Sequence, residues 1–150
     1  MRPPLIAAVA GLSLLLLSGV ATADTTLTTI PAAFRAQNVS TYGDTYAWSQ
    51  RAADGTFRLF VKIAADAPYA APVPAFGGAV DPDVGPRDKS GTPVVVYSRC
   101  ATATRCDVYR FDPSTGKETK VTAVSKSAAS ETVPSTWKGA VLFARAGGAY

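Results

Sequence analysis

The chain has 150 residues, 47% of them hydrophobic and 17% charged, with 12 glycines, 11 prolines and a formal net charge of +4, which is a globular composition and not that of collagen, a coiled coil or an acidic disordered tail. It contains no histidine, so Ser-His-Asp and Cys-His nucleophile systems and His-ligated metals are excluded, because no other side chain titrates near neutral pH without a large shift. No cofactor and no metal is expected.

The first residues read as an address label. Arg2 supplies a positive start, Leu5 to Val20 an apolar core containing Leu14-Leu15-Leu16-Leu17, and Ala21-Thr22-Ala23 the small-x-small pattern before Asp24. A secretory signal peptide over residues 1–23, cut between Ala23 and Asp24, is the expectation. Gly11, Ser13 and Gly19 interrupt the apolar stretch, which falls short of the ~20 apolar residues of a spanning helix. No stable membrane span is therefore expected after cleavage, and the mature chain is expected to be secreted, extracellular or periplasmic. The leader holds one arginine, which leaves a net charge of +3 on 127 of the 150 residues. The remaining basic residues are scattered singly, whereas a nucleic-acid surface clusters them among aromatics. No nucleic-acid partner is expected.

Strand patterns follow along the mature chain. Tyr42 to Gln50 places Tyr42, Tyr46 and Trp48 on one face of a strand. Asp54-Gly55 makes a turn into a second strand, Phe57 to Ile63, and the pair reads as a hairpin. From Ala64 to Pro93 the chain is rich in Ala, Pro, Gly and Asp, with short strands expected near Val73 to Phe76 and Ala79 to Val84. Within it, Asp81 and Asp83 could begin a calcium loop, but the glutamate that such a loop requires is missing, so a turn is expected. Val94 to Arg99 and Asp107 to Asp112 form the next hairpin, Pro113-Ser114-Thr115-Gly116 a turn, and Glu118 to Ser125 another strand. Asp107 and Asp112 could face a central channel and bind a cation or ligand, yet Asp112, just before Pro113, is better explained as a turn initiator. Glu131 to Trp137 and Gly139 to Arg145 follow as strands.

Both cysteines, Cys100 and Cys106, sit at the loop of the second hairpin. An even, locally spaced pair in an exported chain, without chelating histidines, reads as a disulfide stapling the loop. A redox role would call for Cys-x-x-Cys ahead of a helix. Asn38-Val39-Ser40 is a formal glycosylation acceptor, and neither Ser49 nor Ser98 has a base candidate nearby or a nucleophile elbow around it.

The pattern repeats. Aromatics fall at Trp48, Tyr97 and Phe143, steps of 49 and 46, and their partner strands carry Phe60 and Tyr109, again 49 apart. Asp83-Val84-Gly85-Pro86 and Glu131-Thr132-Val133-Pro134 match with a step of 48. Trp48, Phe60, Tyr97, Tyr109 and Phe143 are the expected repeat core, since a recurring aromatic more often fills space between units than it stacks on a ligand. A unit of this length with about four short antiparallel strands is the mark of a β-propeller blade.

Arg87 to Cys100, with its Val94-Val95-Val96-Tyr97-Ser98 strand, followed by Cys106-Asp107-Val108-Tyr109-Arg110-Phe111-Asp112-Pro113-Ser114-Thr115-Gly116, resembles the blades of the TolB-like, WD40-related propellers of secreted bacterial proteins. The resemblance covers about residues 40 to 145 and implies an all-β fold with blade-like units at about 40–86, 87–134 and an incomplete 135–150. The mature length holds about 2.6 such units against the four or more of a closed propeller, so an incomplete propeller of two to two and a half four-stranded blades is the expectation, completed by the remaining blades or by another protein. The function implied is an exported binding or interaction scaffold with no catalytic constellation. The alternative is the N-terminal part of a propeller-containing peptidase or lyase whose catalytic residues lie beyond residue 150. A pair of immunoglobulin-like sandwiches is disfavoured, because a sandwich disulfide joins strands distant in sequence.

Overall fold

The computed structural model describes residues 27–29, 36–102, 105–123 and 129–146; the leader, with Ala23 and Asp24, lies outside them. Ten strands and no helix occur among the described residues. They are β1 (Ala36–Tyr42), β2 (Thr45–Arg51), β3 (Phe57–Ile63), β4 (Tyr69–Ala70), β5 (Asp83–Pro86), β6 (Pro93–Thr102), β7 (Arg105–Asp112), β8 (Lys117–Lys120), β9 (Ser130–Trp137) and β10 (Ala140–Ala146). These form three antiparallel sheets, β1-β2-β3-β4, β5-β6-β7-β8 and the hairpin β9-β10, each a meander in chain order. The described strands close neither a barrel nor a ring.

Turn chemistry explains why the chain reverses where it does. Asp54 accepts hydrogen bonds from the Thr56 amide at 2.9 Å and from the Thr56 hydroxyl at 2.6 Å, so its side chain holds the β2–β3 turn, and Gly55 takes the left-handed φ of 84° that the turn demands. Asp112 does the same between β7 and β8, accepting from the Ser114 amide at 3.0 Å and its hydroxyl at 2.6 Å, with Gly116 at φ 66°.

Alternation along each strand gives every sheet two distinct faces. In the first sheet Ala47, Leu59 and Val61, all fully buried, point toward the second sheet, where they share one core with Val95, Tyr97 and Phe111. Phe76, from the connection between the sheets, meets Tyr97 edge-on at 5.7 Å. The opposite face of the second sheet carries Val94, Val96 and Val108, which are equally buried, and β6 and β7 pack on β9. The sheets therefore stack in chain order, and their first strands, β1, β5 and β9, run past one another in contact.

Strand positions differ from the sequence pattern in several places. The stretch Tyr42 to Gln50, expected as one strand with Tyr42, Tyr46 and Trp48 on one face, is broken by a turn at Gly43-Asp44, where Gly43 takes φ 56°, so Tyr42 ends β1 and Tyr46 and Trp48 lie on β2. β1 begins at Ala36 and is exposed over its first half, so burial periodicity could not reveal it. Of the two short strands expected between Ala64 and Pro93, only an isolated bridge from Phe76 to Phe57 and the later β5 form. β8 ends at Lys120; part of its expected extension to Ser125 lies outside the described residues. The sheets also divide the chain at different points from the units counted by pattern. β5 is hydrogen-bonded to β6, and β9 to β10, so residues 36–70, 83–120 and 130–146 belong together. Which neighbour a strand pairs with is a matter of register, and hydrophobic alternation is silent on it.

Candidate functional site

The aromatic repeat is a repeat of geometry. Trp48 pairs across strands with Phe60, and Tyr97 with Tyr109, in the same register; the rings stack at 5.8 Å and 6.3 Å with interplanar angles of 17° and 21°. Two residues after each aromatic sits a polar group that attends to it or to its cross-strand partner. Gln50 accepts from the Trp48 indole at 3.1 Å, the Arg99 guanidinium lies 3.8 Å over the Tyr109 ring, and Arg145 lies 5.0 Å from the Phe143 ring centre. Glu118 draws the second cluster together, accepting from the Tyr97 hydroxyl and pairing with Arg99 at 2.8 Å. Burial, with the Glu118 carboxylate beside it, pushes the Tyr97 phenol well above its ordinary range.

The first and third sheets carry the same irregularity. Asn38 and Val39 together oppose Trp48, and Val133 and Pro134 together oppose Phe143, giving a β-bulge at the same place in each. Asn38 and Val133 adopt left-handed φ values of 52° and 49°, rare for any residue with a side chain and rarer for a β-branched one. Just after each bulge stands a serine, Ser40 or Ser135, and the register puts Asp83 at the corresponding place on β5. The sequence matched Asp83 with Glu131; the β9–β10 connection is two residues long against six between β5 and β6, and this makes Ser135 its counterpart.

These three equivalent residues meet. Asp83 accepts from the Ser40 hydroxyl at 3.2 Å, the Ser135 hydroxyl at 3.0 Å and the Thr136 amide at 2.7 Å, while Ser40 accepts from the Val84 amide at 3.0 Å. One carboxylate thus ties all three first strands together. Beside it the backbones come so close that a Cβ on Gly85 would lie 2.2 Å from the Thr136 carbonyl oxygen. Asp83, expected near the end of a short strand at Ala79 to Val84 and in a turn between units, opens β5 and joins three sheets.

The other sequence-predicted residues fall in two places. Cys100 and Cys106 are cross-strand partners at disulfide distance in the β6–β7 hairpin, as an oxidising extracellular environment permits. Asp107 pairs with Lys120 at 2.7 Å, and Asp112 with Arg87; both lie on β7, the third strand of its sheet. Trp48 and Tyr97 are buried, and Phe143 is half-buried. Glu131, fully buried, pairs with Arg145 at 3.2 Å, and Ser130 accepts from the Cys106 amide at 3.1 Å.

A hollow of about 390 Å³ opens at the disulfide end, between the Phe76-Gly77-Gly78-Ala79-Val80 connection and Ser98, Cys100 and Thr102. Ser49 and Ser98 are 49 residues apart and equivalent, yet they are used differently. Ser49 accepts from the Val80 amide at 3.1 Å, whereas the buried Ser98 hydroxyl has no partner among the described residues. The lining offers hydroxyls and backbone groups and no titratable side chain, so it can hydrogen-bond a guest but supplies neither acid nor base. Among the described residues no cluster of Cys, Asp or Glu could hold a metal ion, and no helix is long and apolar enough to cross a membrane. No family model, no curated protein and no solved structure matches this chain.

Proposed function

We propose that this chain supplies successive blades of an exported β-propeller of the TolB-like kind and acts as a binding scaffold. What supports the reading most is the repeated seating of sheet on sheet, followed by a seat left open. Ala47 and Val96 occupy equivalent positions and are fully buried by the sheet that follows each. Leu142, at the same position of the third sheet, is 72% exposed. An exposed leucine on a stacking face, flanked by the exposed Ala140 and Ala144, is what a further sheet would cover. The stacking order, the contact between first strands and the carboxylate linking them all suit blades set around an axis, with the first strands innermost. What supports the scaffold role is the hollow beside the stapled hairpin, which offers hydroxyls and amides and no titratable side chain.

The test is made on protein exported by a bacterium from the native gene. Its N-terminal residue is expected to be Asp24, and negative-stain electron microscopy is expected to show closed rings with a central opening. Protein retained in the cytoplasm with Met1 intact would overturn the export, and ringless monomers would overturn the propeller.

A further inference from the structure

The face of the second sheet that receives β9 changes character along β7. Val108 on that face is fully buried, while Arg110 and Asp112, the next residues on the same side, are half-buried, and Lys117 and Thr119 across from them on β8 are exposed. The first sheet shows what a sheet-packing surface looks like at these positions. Leu59, Val61 and Ile63 stand 49 residues before Val108, Arg110 and Asp112, and they form the apolar core. In the second sheet a valine position has become arginine and an isoleucine position aspartate. Burying these charges unpaired under a further sheet is strongly unfavourable, so this corner is not built as a copy of the apolar interface.

It forms a hollow of about 280 Å³ lined by Arg87, Arg110, Asp112, Thr115, Lys117 and Thr119. Three cations surround one carboxylate. Asp112 is already committed: it pairs with Arg87 and accepts twice from Ser114. Burial alone would raise its carboxyl, but the Ser114 hydroxyl and amide and the Arg87 guanidinium outweigh that and hold it below the usual carboxylate range. The aspartate thus anchors Arg87 at the rim as a charged group, while Arg110 and Lys117 meet no carboxylate among the described residues. Two threonine hydroxyls complete the wall.

We propose that this hollow binds a small oxyanion, a phosphate or sulfate group, carried as an ester on a small polar molecule. A planar guanidinium and a point-charge ammonium, flanked by hydroxyl donors, are the groups that recognise tetrahedral oxyanions, and the volume admits an anionic group with a sugar-sized remainder. The site lies apart from the disulfide-end hollow and does not depend on ring closure.

The experiment is calorimetric titration of the full chain at low ionic strength with inorganic phosphate, inorganic sulfate and a hexose monophosphate. Saturable binding with a dissociation constant of about 1 mM or tighter, weakened by added sodium chloride, is expected. Preference between the two inorganic anions identifies the natural group, and tighter binding of the hexose ester identifies an ester ligand. Arg110→Val, which restores the residue of the first sheet, is expected to weaken binding at least tenfold, and Lys117→Thr, at an exposed position where folding is not at stake, about threefold. Absence of saturable binding to all three probes, or unchanged affinity in both variants, overturns the proposal.

Discussion

Replacing Asp83 by alanine removes a carboxylate that touches all three sheets, and its cost can be worked from the contacts. The Thr136 amide, on a residue only 5% exposed, loses its acceptor at 2.7 Å; a buried N–H left unsatisfied costs about 1–3 kcal/mol. The Ser135 hydroxyl is exposed and turns to water, and the half-buried Ser40 hydroxyl keeps its bond from the Val84 amide but must turn its own proton to water, so each adds only about 0.5 kcal/mol. A loss of about 2–4 kcal/mol is expected, read as a fall in the urea midpoint and, for a folded region of roughly 100 residues, a drop in Tm of about 10 °C or more. Hydrogen exchange at Thr136 should accelerate with it. A double-mutant cycle with Ser135→Ala is expected to show coupling, since the two side chains share a hydrogen bond. If Asp83→Ala stays within about 0.5 kcal/mol of the parent, or its exchange speeds up everywhere except at Thr136, the carboxylate is not the link described.

Gly85→Ala should be destabilising by about 1–3 kcal/mol, because the new methyl meets backbone of Thr136, which cannot rotate away as a side chain would; a parent-like denaturation midpoint would contradict it. Replacing both Cys100 and Cys106 by serine opens a loop closed at a sequence separation of 6 and should cost about 2 kcal/mol by chain entropy, with the same loss on adding reductant to the parent. Tyr97 is raised by burial and by Glu118, so below about pH 10, where unfolded tyrosine is also protonated, it gives no pH dependence. Above that the unfolded chain releases the proton first and stability falls as pH rises. Urea midpoints measured between pH 8 and 11 should therefore decline, and Tyr97→Phe should flatten the decline in part, with Tyr69, also raised by burial, supplying some of the rest.

The all-β class, the two hairpins at residues 45–63 and 93–112 and the placing of Cys100 opposite Cys106 could be read from the residues alone. Their causes are local: alternation has a period of two, Asp-Gly and Asp-Pro-Ser-Thr-Gly dictate reversal, and an aromatic repeated every 46 to 49 residues marks a repeated environment. The same locality explains what stayed hidden. β1 and β4 carry little buried surface of their own, so no periodicity announces them. The oxyanion hollow is visible only by comparing Val61 and Ile63 with Arg110 and Asp112 once the strands are in register. Asp83 looked like a turn residue because its neighbours are Pro82 and Asp81. Its partners lie 43 and 52 residues away, brought to it by the stacking of three first strands; the bulges beside them, with left-handed Asn38 and Val133, are marked by no glycine. Local propensity chose the strands; which strand meets which, and which polar group is left to join them, was decided by packing between segments that the chain order keeps far apart.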